Sequence, residues 1–364
     1  MKSWSFHFPV TIHGGPEACR HLHSYVEGLT VLLVTSEGTI KRGVADRLMQ
    51  SCPSARWLTM TTGPNPDMHA LDRDAPGFLS KGVQAVVGLG GGSAMDSAKA
   101  MAAILVEKPS WSLTRFLKEQ HEPLQKALSL FCVPTTAGTG AEVTPFGTMW
   151  DMSGLKKYSL ASPLLYPKAV FLEPGLTRSL SKTETVYGGL DTLSHALETL
   201  WGTRATPASL ALARGALLLA LENLPKVLEN GSLIDNRARM QEASLLAGMA
   251  LCQSRTSVAH VMSYPLTLHF GIPHGLACSF ALPALISLTS GKNAWAGQED
   301  GPLAEKALSL MHRLGMPGLI SQYCRPEDAF TLLQESFQPE WGAHFVPGVS
   351  KEEFADVLRR SLWE

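Results

Sequence analysis

The chain has almost no net charge: 31 lysines and arginines stand against 32 aspartates and glutamates over 364 residues. That excludes broad electrostatic attraction to nucleic acid or to an anionic membrane, so an anionic partner has to be met by a local cluster. Cysteine is sparse. Cys19, Cys52, Cys132, Cys252, Cys278 and Cys324 are far apart with no C-x-x-C pair, which excludes a dense disulfide framework and fits a reduced, cytoplasmic setting. Long apolar runs are missing too. The most apolar stretch, Leu210 to Leu221, is interrupted by Arg214 and closed by Glu222; it is too short to span a bilayer and reads as a buried helix. The start, Met1 to Pro9, lacks the apolar run of a signal peptide. There is no internal repeat and no low-complexity tract.

What remains is an ordinary globular composition, 45% hydrophobic and 17% charged, long enough for two domains. The first half alternates strand and helix signals. Thr30–Thr35, Gln84–Leu89 and Leu128–Val133 are short continuous apolar runs between helical segments, the pattern of a parallel sheet covered on both faces. From about Ser181 helical periodicity takes over, at 184–201, 207–228, 236–252, 254–267 and 302–314. The reading is an α/β domain, 1–179, followed by a mostly helical domain, 180–364.

Asp191 and His195 sit at i and i+4, which on a helix stacks a carboxylate and an imidazole on one face. His260 and His274 follow, and one carboxylate with three imidazoles suits a divalent first-row metal. On one continuous helix the 14 residues from His260 to His274 would span roughly 21 Å, too far to share an ion. Pro265, Gly271 and Pro273 are expected to break the helix and let the chain fold back.

The run Gln84–Leu89 leads into Gly90-Gly91-Gly92-Ser93 and then a good helix-forming stretch, with Ser93 a candidate N-cap. A strand, a glycine turn and a helix N-terminus make an anion site that lets a pyrophosphate approach the backbone. The run is neither G-x-G-x-x-G nor a P-loop. The hydroxyl-rich segment Pro134 to Thr144 follows another strand, at the end where α/β sheets bind ligands.

Together these segments resemble the iron-containing (group III) alcohol dehydrogenase family, in its order and spacing: Pro64-Asn65-Pro66, Gly90 to Ser93 with Asp96 and Lys99, Pro134 to Thr144, Lys157-Tyr158, Asp191-x3-His195, His260 and Pro273-His274-Gly275. The resemblance implies a Rossmann-like N-terminal domain and an all-helical C-terminal domain, the fold shared with dehydroquinate synthase, with dinucleotide and metal meeting in the cleft between them. It implies that Asp191, His195, His260 and His274 bind Fe²⁺, in some members Zn²⁺. It implies that Asn65, Gly91, Gly92, Ser93, Thr135, Thr136, Thr144 and Lys157 line an NADH or NADPH site. Family members are commonly dimers or larger, so a homo-oligomer acting on a small aldehyde or alcohol is expected, with no nucleic-acid or membrane partner.

Two departures from the family pattern matter. Where many members carry a second histidine four residues beyond the third ligand, Tyr264 stands, a candidate proton donor. Where NAD-selective members often place aspartate after the second strand, Ser36 stands, followed by Glu37; this removes one repulsion against a 2′-phosphate, but no obvious arginine follows, so the sequence leaves NADH and NADPH both open. On a helix through 253–264, Gln253, Thr256, Ser257, His260 and Tyr264 would share one polar face, with Arg255 the candidate counter-charge for an anionic substrate and Lys156 a further option. Within the family, Trp150-Asp151, Lys156 to Leu160, Ser263 to Thr267 and Gly271 to Gly275 most resemble phosphonoacetaldehyde reductases. The expected reaction is reduction of a short anionic aldehyde; a general short-chain alcohol or diol dehydrogenase and a dehydroquinate synthase-like lyase are the alternatives.

Overall fold

The structure, a computed structural model, describes residues 3–107, 111–119, 123–316 and 318–363; Met1 and Lys2 of the N-terminal stretch lie outside them. The chain forms two compact units. One comprises Phe8–Thr136 and Ala141–Ser179; the other comprises Leu180–Glu364 with Ala137–Gly140 and the first residues up to His7.

The first unit is built on a six-stranded parallel sheet. Its strands are β1 (Thr11–Gly14), β2 (Thr30–Thr35), β3 (Arg56–Thr61), β4 (Ala85–Gly90), β5 (Ser129–Pro134) and, after a separate hairpin of β6 (Phe146–Asp151) and β7 (Lys156–Ala161), β8 (Ala169–Leu172). The order is β1-β8-β5-β4-β2-β3. The central strands β2, β4 and β5 carry β-branched and other apolar side chains that are buried almost throughout, because helices cover both faces. The chain moves from β2 outward to β3, then returns to place β4 on the other side of β2. That reversal is a topological switch point, the crevice where open α/β sheets take their ligands. Thr35 at the end of β2 lies in register with Leu89, directly before the glycine turn.

Gly90 has φ +150, and a Cβ there would lie 2.8 Å from the Ala94 Cβ. Only glycine satisfies both demands. Gly90→Ala is expected to destabilise the protein by about 1–3 kcal/mol and to weaken dinucleotide binding, read by chemical denaturation and by NADH fluorescence titration. The helix that follows, α1 (Gly92–Ile104), takes Gly91 as its N-cap. Ser93 is therefore inside the first turn rather than capping it, and its hydroxyl instead accepts the Asn65 N–H at 3.2 Å.

Lys99 of α1 is fully buried. Its ammonium donates to Thr144 Oγ1 at 2.8 Å, to the Phe146 carbonyl at 2.6 Å and to Asp96 Oδ1 at 3.3 Å. Asp96 Oδ2 accepts the Thr148 N–H at 2.9 Å. A charge removed from water has to be paired and fully hydrogen-bonded, and doing so ties the β6–β7 hairpin to the helix behind the glycine turn.

The second unit is helical. Its main elements are α2 (Lys182–Leu200), α3 (Pro207–Glu229), α4 (Ile234–Ser254), α5 (Val258–Phe270) and α6 (His274–Ala277). Ser181 and Glu184 form a capping box that starts α2, and Thr206 with Ser209 and Pro207 starts α3. The Leu210–Leu221 stretch lies in α3, amphipathic rather than buried all round: Ala213, Ala216, Leu217 and Ala220 are buried while Leu218 is 53% exposed. Among the described residues one stretch, His274–Gly291, is apolar and long enough to cross a membrane; it is two-thirds buried in the helical core and broken between Ala277 and Leu282.

Two expected helix boundaries differ. Pro265 lies inside α5 and does not end it; the break comes at Gly271, φ +65, where the helix closes on a left-handed residue. No helix runs through 253–264. α4 stops at Ser254, Arg255 caps it with φ +66 and ψ 167, and α5 begins at Val258. The single polar face drawn through Gln253, Thr256, Ser257, His260 and Tyr264 therefore does not exist. Gln253 Nε2 donates to the His7 carbonyl, away from Ser257, whose hydroxyl points to Glu198.

Candidate metal centre

The four residues singled out as metal ligands lie in the helical unit on three elements. α2 presents Asp191 and His195, α5 presents His260 and α6 presents His274. Asp191 Oδ1 is the centre of the group: His195 Nε2 is 3.5 Å away, His260 Nε2 3.6 Å and His274 Nε2 3.9 Å. Two donors each about 2.1 Å from one ion at a tetrahedral angle are roughly 3.4 Å apart, so these separations are those of ligands sharing a cation. Close approach of α6 to α2 is possible because residue 275 is glycine; a Cβ there would collide with the Tyr187 carbonyl.

The charge balance points the same way. Asp191 and Glu198 are buried carboxylates, and among the described residues their ion pairs are to histidines. Burial would raise the Asp191 carboxyl, but His195, His260 and His274 outweigh it and hold it below the usual carboxylate range. Burial pushes His195 below its ordinary value against the pull of Asp191, which leaves a neutral imidazole with a lone pair to give. His260 Nε2 is buried with no hydrogen-bond partner, while its Nδ1 lies 2.6 Å from Glu198 Oε2. Burial would lower His260, but Cys278, Glu198 and Asp191 outweigh it and hold the imidazole well above its ordinary value, so without a cation both nitrogens carry a hydrogen and a cation beside Asp191 would displace the one on Nε2. An orphaned nitrogen in a negative pocket fits a divalent cation, and the donor set of one carboxylate and three imidazoles suits iron or zinc.

Sequence reasoning missed two residues here. Glu198 is three residues past His195 on the same face of α2, a signal that was present. Its Oε1 accepts from Ser257 Oγ at 2.9 Å, Ala259 N at 2.8 Å and His260 N at 3.3 Å, so it also caps the N-terminus of α5. Cys278, four residues beyond His274, lies within 4.8 Å of Asp191, His260 and His274 donor atoms. Its Sγ donates to Asp191 Oδ1 at 3.3 Å, and burial pushes the thiol up to about 12. Cys278 is thus a hydrogen-bond partner of Asp191 inside the same cluster of donor atoms.

The residues expected at the dinucleotide gather in the sheet unit. Gly91 and Gly92 open α1 at the switch point; Ser93 Oγ holds the Asn65 backbone, which turns with φ +55. Thr135 N donates to the Gly90 carbonyl at 2.9 Å, and the Thr136 side chain packs beside Gly91. Thr144 and Lys157 stand further along α1: Thr144 Oγ1 is engaged by Lys99, and Lys157 acts electrostatically on Asp96. Ser36 caps the helix Glu37–Lys41 by accepting the Thr39 N–H. Arg42, overlooked because it lies six residues past Ser36, curls back to donate to Thr39 Oγ1 at 3.5 Å. Of the proposed substrate residues, Tyr264 is half-buried one turn after His260 in α5, Arg255 is half-buried at the α4–α5 break, and Lys156 is exposed.

A doubly wound parallel sheet, a glycine turn at its switch point and a helical unit with a buried carboxylate–imidazole cluster define a dinucleotide- and metal-binding dehydrogenase fold. Residues 9–174 match the family profile for iron-containing alcohol dehydrogenase and residues 185–335 that for the Fe-containing alcohol dehydrogenase family, C-terminal. The chain belongs to the iron-containing alcohol dehydrogenase family.

Among its relatives is the phosphonoacetaldehyde reductase of Streptomyces viridochromogenes, 37% identical over 206 residues, 55% of this chain and 52% of that one. The chain thus spans about half the length of that relative. The sulfoacetaldehyde reductase of Bilophila wadsworthia is 29% identical over 340 residues, 93% of this chain and 86% of that one. Among solved structures, the sulfoacetaldehyde reductase from Bifidobacterium kashiwanohense in complex with NAD+ superposes with a TM-score of 0.89 at 26% identity, over 100% of both chains.

Proposed function

We propose that the protein is a metal-dependent, NAD(P)H-linked reductase that turns a short anionic aldehyde into its primary alcohol, with phosphonoacetaldehyde to 2-hydroxyethylphosphonate the favoured reaction. The observation that carries it is the convergence of three imidazoles within 4 Å of the buried Asp191 Oδ1. Similarity to reductases named for phosphonoacetaldehyde and sulfoacetaldehyde supports the anionic substrate.

In this reading Asp191, His195, His260 and His274 hold the cation, and Asn65, Gly91, Gly92, Ser93, Thr135, Thr136, Thr144 and Lys157 line the dinucleotide site. When bound, the cation supplies a Lewis acid for the carbonyl oxygen and the nicotinamide supplies the hydride. The chain's own groups do the rest. Glu198 keeps His260 in the tautomer whose Nε2 faces Asp191. Tyr264, on the helix that carries His260, offers a phenol to return a proton to the alkoxide oxygen. Arg255 supplies counter-charge to the anionic end of the substrate.

The nicotinamide preference follows from the end of β2. No carboxylate stands at Ser36 to repel a 2′-phosphate, and Arg42 folds back toward it. NADPH is therefore accepted, and Arg42→Ala is expected to raise the KM for NADPH by about tenfold with little effect on NADH, measured by initial rates with each coenzyme.

The deciding assay follows NADH and NADPH oxidation by chelator-stripped protein reloaded with Fe²⁺ or Zn²⁺, offered phosphonoacetaldehyde, sulfoacetaldehyde, propanal and butanal. Preference for the anionic aldehydes is expected. Equal turnover of propanal and butanal would make it a general short-chain alcohol dehydrogenase, and conversion without net coenzyme consumption would make it a lyase.

A further inference from the structure

A serine placed just before a helix ordinarily turns its hydroxyl onto the helix's own N–H groups. Ser257 stands at that place before α5, and its side chain makes no such bond. The N–H groups of Ala259 and His260 go instead to Glu198 Oε1, at 2.8 and 3.3 Å. A carboxylate from α2 has taken over the cap, which leaves the serine hydroxyl for another use.

Chemistry fixes the direction of the bonds around that hydroxyl. The Trp201 indole nitrogen lies 3.1 Å from Ser257 Oγ, and an indole N–H can only donate. Ser257 Oγ therefore accepts from Trp201. Its own single proton goes to Glu198 Oε1, 2.9 Å away, because a carboxylate can only accept. The other Glu198 oxygen takes the His260 Nδ1–H at 2.6 Å; Ser194 Oγ, at 3.5 Å, is the more distant partner of that nitrogen. The line Trp201, Ser257, Glu198 thus closes on the ring of a proposed metal ligand. Trp201 and Glu198 are fully buried, and Ser257 and His260 nearly so. Solvent does not replace a bond lost from such a line, so each link constrains the next.

Trp201 has anchors of its own. Phe345 stands edge-on to its ring at 5.6 Å, and Trp295 packs on it tilted, at 5.7 Å. The Trp201 carbonyl accepts the Val346 N–H at 2.8 Å, and Gly202 forms an antiparallel bridge with Phe345. The indole is held by contacts in which Ser257 and Glu198 take no part, so it sets where their side chains point rather than following them.

We propose that Trp201 and Ser257 are positioning residues for the metal centre: the indole N–H orients the serine hydroxyl, the hydroxyl aims Glu198, and Glu198 places the His260 ring for the cation. This rests on the reading of His260 as a metal ligand and extends the centre to two residues that touch neither cation nor substrate.

The test measures Zn²⁺ affinity by chelator competition and urea stability of the stripped protein. It compares wild type with Ser257→Ala, Ser257→Thr, Trp201→Phe and Leu217→Val, the last loosening the core at α3 without removing a hydrogen bond. Ser257→Ala and Trp201→Phe are expected to raise the Zn²⁺ dissociation constant by about threefold to tenfold, while Ser257→Thr, which keeps the hydroxyl, stays within about twofold of wild type. Leu217→Val is expected to lower stability and leave the constant unchanged. Added to Glu198→Gln, Ser257→Ala is expected to cost no further affinity, because its effect passes through Glu198. Ser257→Ala removes a single oxygen atom, so it reads the relay even where Trp201→Phe fails to fold. A wild type that binds Zn²⁺ no more tightly than Ser257→Ala overturns the relay and leaves the metal centre standing. A full further loss in the Glu198→Gln background, or an equal rise in Leu217→Val, also overturns it. A wild type that binds no Zn²⁺ overturns the metal centre and the relay together.

Discussion

His274→Ala is expected to lose bound metal and activity together while keeping its fold. The imidazole is the most accessible of the four donors, 36% exposed where the other three side chains are almost fully buried, so its removal leaves no large cavity. Its Nε2 lies 3.9 Å from Asp191 Oδ1 and is the sole donor contributed by α6. Structural zinc sites bind with about 10–16 kcal/mol spread over four ligands, so loss of one costs on the order of 3 kcal/mol, a factor of about a hundred or more in affinity. Metal content after gel filtration, circular dichroism and aldehyde-dependent NADH oxidation check it. A His274→Ala protein that remains active without metal refutes the assignment.

The second large effect is expected from Glu198→Gln. The carboxylate does two things at once: one oxygen collects donors from Ser257, Ala259 and His260 at the start of α5, and the other fixes the His260 ring. Burial would raise this carboxyl, but His260 and Ser257 hold it below its ordinary value, so it is charged in the folded state. An amide of the same shape offers one acceptor oxygen where two are used and turns an N–H₂ toward donors. Metal affinity is expected to fall by about tenfold to a hundredfold. The metal-free protein is expected to lose about 1–3 kcal/mol of stability. Chelator competition reads the first and urea denaturation of the stripped protein reads the second. A stability loss without any change in metal affinity would leave Glu198 a helix cap alone.

Much of this centre was legible because its information is local. Asp191 and His195 declare themselves by a four-residue spacing on one helix, and the glycine turn by its place between an apolar strand and a helix-forming run. Glu198 was legible by the same rule and was overlooked, since a glutamate on a helix is so often a solvated one. Arg255 was not legible in position: an arginine carries no signal for a left-handed backbone, so the sequence reads as one helix through 253–264 where the structure has two. Ser93 looked like a cap because its residue type favours caps, yet Gly91, in extended conformation two residues earlier, starts the helix and frees the serine for Asn65. Thr144 reads as a hydroxyl for a ligand, and the structure shows a second use of it as an acceptor for the buried Lys99.

By itself the sequence determined the class of fold, the alternation of strand and helix followed by helices alone, and it singled out the carboxylate and three imidazoles that the helical unit brings together. Those depend on periodicity and spacing, which short-range sterics and hydrogen bonding translate directly into structure. The tertiary structure alone decided that Glu198 reaches across to His260 and that the Trp201 indole reaches Ser257. Such contacts join residues 56 to 62 positions apart. They arise only when packing of the core brings their segments together, and no local preference of the chain encodes them.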